Sequence, residues 1–565
     1  MTNAFVNPAF SAVSEFRTHE VFNQPRSLEH YNLFNTDKAL QEAVEREGAG
    51  WAKHGLSAFG ALLGRSETIQ LGALANKYPP VLYTHDRYGN RRDEVEFHPA
   101  WHALMTLGIV QAVHSGPWAD PRAGAHVARA AAYQMYSQIE NGTQCPLTMT
   151  YAVVPVVRRQ AQSSTWLHDV WLPRLMSRQY DPHFAPIEQK SGALIGMGMT
   201  EKQGGSDVRA NTTRAEPMGP GGVGQEYRIT GHKFFFSAPM CDAFLVLAQA
   251  PGGLSCFFMP RFTPDGTLNS IRIQRLKDKL GDKSNASSEV EFYAARAWLL
   301  GEEGRGVPTI LEMGTYTRLD CAIGSAGLMR QGLSQALHHA AHRNAFGKPL
   351  REQPLMKNVL ADLALESEAA TALVMRLARA FDQQDDAEEA NLRRLLTPAV
   401  KFWICKRGPT FAAEAMEVLG GSGYVEESVM PRIYRQMPLN SIWEGSGNIM
   451  CLDVLRAAVK TPQAIQLLFL ELAAAHGGDT RLDQFVGKLQ AELTDTSAIE
   501  NRARRLTEQL VLAVQGALLV RFAPHGVADA FCASRLGREW GGSFGTLSGQ
   551  TDFDAIINRA MPAET

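Results

Sequence analysis

Residues Gly196–Asp207 read GMGMTEKQGGSD and carry an apolar run into a polar turn. Gly204 and Gly205 allow a sharp turn or a close approach of the backbone to another group. The hydroxyl groups of Thr200 and Ser206 flank this turn. The stretch lacks the Gly-Lys-Ser/Thr ending of a phosphate-binding P-loop, and it does not open a helix as a GxGxxG turn does. Taken alone, it predicts a strand-to-loop corner.

The composition predicts a globular, multidomain protein. The chain has 565 residues, too many for one hydrophobic core, with 45% hydrophobic and 20% charged residues. A formal net charge of -2 gives no general attraction to nucleic acid or membranes. No secretion signal or apolar run of about 18 residues is visible, so we expect a cytoplasmic protein without a membrane partner.

Cysteine and histidine usage predicts neither disulfides nor a metal site. The seven cysteines are scattered without a CxxC pair, which is typical of reduced, buried thiols. His338, His339 and His342 are close in sequence, but no carboxylate stands beside them at metal-ligand spacing.

Hydrophobic periodicity divides the chain into four predicted domains, 1–190, 191–300, 301–460 and 461–565. An extended arm over residues 1–35 comes first, and Asn35 or Thr36 is the expected cap of the first helix. The predicted helices of the first domain are Asp37–Glu47, Thr68–Asn76, Pro99–Val113, Ala123–Ile139, Pro146–Arg159 and Trp166–Ser177.

The second domain has the period of strands. The predicted strands are Glu226–Ser237, Ala243–Ala250, Leu254–Pro260, Ser270–Leu276 and Ser288–Trp298. No helix is inserted between them, which excludes a parallel Rossmann sheet and favours an antiparallel sheet or barrel.

Long helical patterns follow, so the fold class is α+β. The predicted helices are Val307–Asn344, Leu355–Gln383, Asn391–Gly420 and one or two within Pro431–Lys460. Their short connections favour an antiparallel bundle. Residues 463–565 predict three more amphipathic helices and a loose glycine-rich tail, Gly541–Gly549.

One carboxylate stands out in Asn440–Leu452, which reads NSIWEGSGNIMCL. Glu444 lies between an aromatic residue and small residues, a setting that suits a general base. A capping or surface glutamate is the alternative for a WEG triplet considered alone.

Together these stretches resemble the acyl-CoA dehydrogenase family. Arg343–Leu350 (RNAFGKPL), Leu419–Glu426 (LGGSGYVE) and Gly231–Pro239 (GHKFFFSAP) stand in the family's order with the two stretches above. The resemblance covers about residues 40–460. It implies an N-terminal α domain, a middle antiparallel β domain and a helical bundle domain, here with a C-terminal helical extension.

The resemblance implies FAD as cofactor and assigns residues to it. Segment 197–206 would lie along the flavin, and Phe235 stands where many relatives have Trp. Arg343 and Phe346 would reach the FAD of a neighbouring subunit, which implies a homotetramer built as a dimer of dimers. The implied cofactor residues are Met197, Gly198, Met199, Thr200, Ser206, Phe235, Phe236, Ser237, Arg343, Phe346, Gly420, Gly421, Trp443, Gly445, Ser446 and Asn448.

The resemblance also implies the chemistry. Glu444 would remove the α-proton of an acyl-CoA thioester while the β-hydrogen leaves as hydride. Some members carry the base on a helix before an arginine. Thr317 and Arg318 match those positions here, and Thr317 cannot act as that carboxylate.

Further stretches resemble one branch of the family, among them Thr18–Pro25 (THEVFNQP), Arg275–Ser287 (RLKDKLGDKSNAS) and Asn440–Arg456 (NSIWEGSGNIMCLDVLR). Members of that branch add a C-terminal domain that binds double-stranded DNA in the response to alkylation damage. That branch shows weak dehydrogenation of short branched acyl-CoA. The candidate DNA-binding residues are Arg456, Lys460, Arg502, Arg504 and Arg505. Residues 461–565 contain nine Lys and Arg against twelve Asp and Glu, so a solvated face of an amphipathic helix is the alternative.

Three other functions stay open at this point. The chain could be a conventional short or branched-chain acyl-CoA dehydrogenase without a DNA function. It could shield DNA with a flavin that is structural or reacts with alkylating agents. It could also be an interaction protein that binds no flavin.

Overall fold

A computed structural model of the chain describes residues 18–162, 164–495, 497–537, 539 and 541–562. Residues 1–17 of the predicted arm lie outside these residues, and residues 18–36 contain neither helix nor strand. The following elements are α1 (Lys38–Arg46), α2 (Lys53–Leu63), α3 (Ser66–Lys77), β1 (Val81–His85), β2 (Arg91–Glu96), α4 (Pro99–Val110), α5 (Gly116–Ala119), α6 (Ala125–Ser137), α7 (Gln144–Ala161) and α8 (Leu172–Leu175).

Some expectations for this region are wrong. The α1 cap is Asp37, whose carboxylate accepts the Leu40 N–H at 3.1 Å, rather than Asn35 or Thr36. Residues Trp166–Trp171 form a π-helical turn before α8 instead of one regular helix. The β1–β2 hairpin was not predicted, because β1 has no buried face and therefore no alternating apolar signal.

The middle region is a sheet built from β3 (Ile195–Gly198), β4 (Arg214–Pro217), β5 (Glu226–Ser237), β6 (Ala243–Ala250), β7 (Gly253–Pro260), β8 (Ile271–Leu276) and β9 (Ser287–Leu300). The five predicted strands are present, with ends within two residues. Strands β6, β4, β5, β9 and β7 pair in a closed ring, which makes the sheet a barrel. Its pairings are antiparallel except those of β3 and β4 with β6, which are parallel. Parallel neighbours need a long connection, and β5 lies within both connections to β6.

The helical bundle follows the barrel. Its elements are α9 (Gly306–His342), β10 (Asn344–Ala345), β11 (Lys348–Pro349), α10 (Pro354–Asp382), α11 (Ala387–Val418), α12 (Gly421–Tyr424), α13 (Met430–Asn440) and α14 (Gly447–Lys460). Helix α9 packs closely on α6 at Gly327, where a Cβ atom would lie 2.4 Å from the carbonyl oxygen of Gln134. A residue without a side chain is therefore required where these two helices meet.

The C-terminal region contains more helix than predicted. It forms α15 (Pro462–Ala473), α16 (Thr480–Thr494), α17 (Ile499–Phe522), α18 (His525–Phe531) and α19 (Phe553–Ala560). The tail is not loose, because the Gly545 N–H donates to Asp362 and the Leu547 N–H donates to Asn358, both at 2.9 Å. These bonds join the backbone of the tail to side chains of α10 that are distant in sequence. Because such bonds produce no hydrophobic periodicity, the sequence did not predict an ordered tail.

Buried ion pairs fasten this last region to the bundle. Arg535 follows α18 and pairs with Asp362 at 2.5 Å and with Glu366 at 3.0 Å. Glu366 also pairs with Arg407 of α11 at 3.0 Å.

All seven cysteines are buried thiols, as predicted. Within the described residues, no helix has the length and apolarity that crossing a bilayer requires.

Candidate active site

The loop between α13 and α14 presents Glu444 in an unusual backbone conformation. Glu444 has a φ of 60° and Gly445 a φ of 112°, and the left-handed region costs a non-glycine residue roughly 1–3 kcal/mol. Buried Lys401 of α11 stabilises this loop, since its ammonium donates to the carbonyl oxygens of Trp443 at 2.8 Å and Gly445 at 2.5 Å. We did not predict Lys401 from the sequence, although a lone charge in an apolar run requires a buried partner.

Helix α9 holds the Glu444 carboxylate. The Thr317 hydroxyl donates to Oε2 at 2.6 Å, and Arg318 Nε donates to the Glu444 carbonyl oxygen at 2.9 Å. Arg318 is itself fixed by Asp453 at 2.9 Å. Oε1 of Glu444 accepts no hydrogen bond from any described residue. Thr317 and Arg318 therefore support the Glu444 carboxylate. By the resemblance, they stand at the positions where some family members carry the base.

Buried polar side chains lie near the Glu444 carboxylate. Burial raises the pKa of the Cys145 thiol to about 12, and the nearby Glu444 charge adds to that shift. One turn along α9 from Thr317, Asp320 accepts a hydrogen bond from Arg129 Nη2 at 2.7 Å and one from Thr148. The Asp320 carboxylate is therefore already paired within the chain.

The predicted flavin-facing segment is anchored to the barrel. The buried Glu201 carboxylate pairs with Lys233 at 2.7 Å and accepts the Thr212 N–H at 2.7 Å. Burial alone would raise the pKa of Glu201, but the Lys233 ammonium and hydrogen bonds from Thr212 and Thr213 together lower this pKa to about 2. The Thr200 carbonyl oxygen accepts the Phe234 N–H at 2.8 Å. Segment 199–206 is therefore held against β5, and its glycine turn remains at the surface.

Strand β5 divides the predicted aromatic residues between two faces. Phe235 is 49% exposed and Ser237 is half-buried, whereas the Phe236 ring is buried at 4.3 Å from the Phe244 ring. A bulge between Lys233 and Phe236 sets this alternation. The Phe236 side chain therefore packs into the barrel core, and its predicted part in cofactor binding stays a prediction.

The exposed face suits a flavin. It offers the Phe235 ring for stacking, the Ser237 hydroxyl for hydrogen bonding and the anchored backbone beside Thr200. In β3, Met197 is half-buried, and Gly198 has no room for a side chain because Phe236 would lie 2.6 Å from its Cβ.

Among the described residues, no group of three or more His, Cys, Asp or Glu could hold a metal ion.

A second set of predicted cofactor residues lies far from Glu444. Thr317 and Arg343 are separated by most of α9, about 39 Å at 1.5 Å per residue. Phe346 is 98% exposed in the turn after Arg343, and Gly420 has a φ of 59° with open space around it. Gly421 is also exposed at the start of α12. One chain does not bring these residues to Glu444.

The start of α14 contacts the C-terminal region. Ser446 occupies the N-cap position of this helix without a capping side-chain hydrogen bond. Asn448 lies in the first turn, where Arg504 of α17 donates to its side chain at 3.3 Å. A predicted DNA-binding residue thus contacts a predicted cofactor residue.

The other predicted DNA-binding residues fall into two groups. Arg456 and Lys460 are exposed on α14 and have no hydrogen-bond partner among the described residues. Arg502 pairs with Asp495 at 3.4 Å, and Arg505 pairs with Glu492 at 2.5 Å. These carboxylates partly neutralise the basic cluster of α17.

Comparison with known proteins places this geometry in a family. Residues 23–182 match the model of the adaptive response protein AidB N-terminal domain. Residues 196–295 match the acyl-CoA dehydrogenase middle domain, and residues 304–459 match the acyl-CoA dehydrogenase C-terminal domain.

Similar proteins extend this match over most of the chain. AidB of Escherichia coli (strain K12) is 53% identical over 92% of this chain and 94% of its own. Acyl-CoA dehydrogenase family member 11 of Caenorhabditis elegans is 30% identical over 82% of this chain and 75% of its own. The crystal structure of C. elegans ACDH-11 in complex with C11-CoA superposes with a TM-score of 0.81 at 26% identity, covering 96% of this chain and 93% of that one.

Proposed function

We propose that this chain, which belongs to the acyl-CoA dehydrogenase family and is an AidB homologue, is an FAD-dependent acyl-CoA dehydrogenase with Glu444 as its base. The observation that carries this proposal is the support of Glu444 from two helices. Lys401 fixes the loop from α11, and Thr317 fixes the carboxylate from α9. A surface glutamate would not require a strained loop with a dedicated buried lysine.

The chain's own residues would move the proton. Thr317 occupies Oε2 of Glu444, which leaves Oε1 available to accept the α-proton of an acyl thioester. A positioned base contributes about 10²–10⁴-fold to the rate. FAD, when bound, supplies the acceptor for the β-hydrogen as hydride. Thr200, Phe235 and Ser237 would hold the flavin, and Ser206 would lie beside its phosphates.

An acyl-CoA ligand is supported by a relative. C. elegans ACDH-11, which shares this fold over most of both chains, has been crystallised with C11-CoA. We expect this chain to act on a short, branched acyl-CoA, the substrate class implied for its branch of the family.

A stopped-flow experiment tests the proposed reaction. Holoprotein is mixed anaerobically with isobutyryl-CoA or isovaleryl-CoA, and flavin bleaching is followed. Wild type should bleach, and Glu444→Gln should bleach at least 100-fold more slowly while keeping its flavin. Glu352→Gln, at an exposed position, is the matched control. Equal bleaching by wild type and Glu444→Gln would contradict the proposal.

We propose a homotetramer built as a dimer of dimers, and the distance along α9 supports a second copy at each site. Arg343 lies too far from Thr317 to share one cofactor molecule with Glu444 of the same chain. A site completed by a second copy explains why Phe346 and Gly420 remain exposed. Sedimentation equilibrium should give four chains per particle, and a monomer that retains FAD would contradict this part.

We also propose that the chain binds double-stranded DNA without sequence preference and acts in the adaptive response to alkylation. The family model matched by residues 23–182 is named for an adaptive response protein. Arg456 and Lys460 are the exposed candidate contacts without an ion pair among the described residues, whereas Arg502 and Arg505 are paired with carboxylates. Exposed cations release counterions from phosphates, so binding should weaken steeply with salt.

Fluorescence anisotropy with a short duplex separates the two groups of cations. Arg456→Glu/Lys460→Glu should weaken binding and reduce the salt slope by about 2. The triple reversal of Arg502, Arg504 and Arg505 to Glu should weaken it less.

A charge-matched control completes the DNA experiment. Lys77→Glu/Arg87→Glu alters two exposed cations in the N-terminal region and should leave binding unchanged. If wild type does not bind DNA at low salt, the result would favour a conventional acyl-CoA dehydrogenase without a DNA function. Tight binding with no turnover would favour DNA shielding with a structural flavin. Failure to take up FAD would favour an interaction protein.

A further inference from the structure

The N-terminal arm forms hydrogen bonds with the backbone just after the end of α9. The Asn23 side-chain amide donates to the Asn344 carbonyl oxygen at 2.9 Å, and its oxygen accepts the Asn344 N–H at 2.6 Å. Asn23 itself has a φ of 58°, a left-handed conformation that asparagine tolerates better than most residues. The backbone is therefore turned so that one side chain pairs with both polar groups of one residue.

The same segment anchors Arg343. Nη1 of Arg343 donates to the Asn23 carbonyl oxygen at 2.6 Å and to the Gln24 side chain at 3.1 Å. Nε and Nη2 make no hydrogen bond with any described residue. A guanidinium fixed through one nitrogen presents its remaining donors in a fixed direction, which suits an anionic group such as a phosphate.

Apolar burial does not explain this contact. Val21 is 75% exposed and Phe22 is 83% exposed, so neither side chain fixes the arm by packing. Further along, His338 bonds to the carbonyl oxygen of Arg26 at 2.8 Å, and only at Leu28 does the arm reach the core. Residues 23 and 24 are thus held by polar contacts, and those contacts converge on Arg343 and its neighbour.

We propose that Asn23 and Gln24 are positioning residues, which hold Arg343 toward the phosphates of the FAD bound in a second copy of the chain. This inference rests on the proposed function, because it requires a flavin cofactor. The arm would act through Arg343 without touching the cofactor. Its loss would free the guanidinium to sample many directions, and cofactor affinity would fall.

FAD titration of flavin-stripped, full-length protein tests the inference. Asn23→Gly tolerates the left-handed backbone but removes the side chain, and we expect the Kd for FAD to rise about tenfold. Asn23→Asp keeps the acceptor for the Asn344 N–H and should lose less affinity. Val21→Ala, two residues away and without a hydrogen bond, should match wild type.

A double-mutant cycle separates positioning from general stability. In an Arg343→Ala background, Asn23→Gly should cause no further loss of FAD affinity, since its effect passes through Arg343. Equal losses in both backgrounds, or wild-type affinity in Asn23→Gly, would overturn the inference while leaving the proposed function intact. Wild-type protein that takes up no FAD would overturn both.

Discussion

The Glu444 side chain depends on residues that are distant in sequence. Its carboxylate is bonded by Thr317 at 2.6 Å, and its backbone carbonyl is bonded by Arg318 at 2.9 Å. The WEG triplet identified the carboxylate as a candidate base. It did not reveal its support, because hydrogen bonds between separate helices leave no local pattern.

Removing the Thr317 hydroxyl should slow proton abstraction. In Thr317→Val the shape is kept and the hydrogen bond to Oε2 is lost, so we expect the rate of flavin reduction to fall about tenfold. Thr317→Ser keeps the donor and should retain most of the rate. Stopped-flow reduction at saturating acyl-CoA measures both variants, and an unchanged rate in Thr317→Val would mean that the bond does not orient the base.

Among the elements, the loop between α13 and α14 has the clearest support. Lys401 is buried and bonds to two carbonyl oxygens of the loop. The left-handed conformations of Glu444 and Gly445 persist because Lys401 of α11 holds the loop backbone in place.

Replacing this lysine should affect both stability and activity. Lys401→Met leaves two carbonyl groups without their donor, and we expect about 2–4 kcal/mol lower stability together with slower flavin reduction. Chemical denaturation and stopped-flow kinetics measure these effects. Lys406→Met, at an exposed position on the same helix, is the control. If Lys401→Met matched this control, the loop would be held in another way.

The elements also show where sequence patterns succeed. The predicted bounds Glu226–Ser237 and Ala243–Ala250 match β5 and β6, because alternating or continuous apolar residues mark buried strands. The β1–β2 hairpin and the ordered tail were missed. The hairpin is largely exposed at β1, and Gly545 and Leu547 are fixed by side chains of α10. Neither feature produces a hydrophobic period.

Across the whole molecule, the segment that precedes α1 and the helix α19 meet on α9. Arg330 donates to the carbonyl oxygens of Thr36 and Ala560, each at 2.9 Å. Glu366 adds a second link by pairing with Arg407 and Arg535. The C-terminal region is therefore attached to the helical bundle by buried charges as well as by apolar contacts.

The Glu366 link predicts a defined pH dependence. Burial would raise the pKa of Glu366, but Arg407 and Arg535 outweigh it and lower this pKa to about 2. Its ionised form therefore stabilises the fold above about pH 4.5, and this contribution is lost as the pH falls toward 2. Glu366→Gln should be about 3 kcal/mol less stable than wild type at neutral pH, with the difference shrinking in acid.

Denaturant unfolding at several pH values measures this difference. Glu352→Gln, at an exposed position, should match wild type throughout. A Glu366→Gln difference that stays constant from neutral pH to acid would show that the carboxylate charge is not the stabilising feature.

Assembly could be inferred only in part from the sequence. The resemblance assigned Arg343 and Phe346 to the cofactor, yet only the structure places Arg343 about 39 Å along α9 from Thr317, with Phe346 in the turn beyond it. The basic run at Arg502 and Arg505 suggested a DNA-binding patch. Its pairing with Asp495 and Glu492 depends on how α16 and α17 meet, which residue counting does not reveal.

Deuterium exchange at the substrate α-carbon tests most directly the claim that Glu444 is the base. Holoprotein is incubated anaerobically in deuterated buffer with a short branched acyl-CoA, and the recovered thioester is analysed by mass spectrometry. Wild type should incorporate deuterium at the α-carbon, and Glu444→Gln should do so at least 100-fold more slowly. Exchange at the wild-type rate in Glu444→Gln would assign the base to another residue.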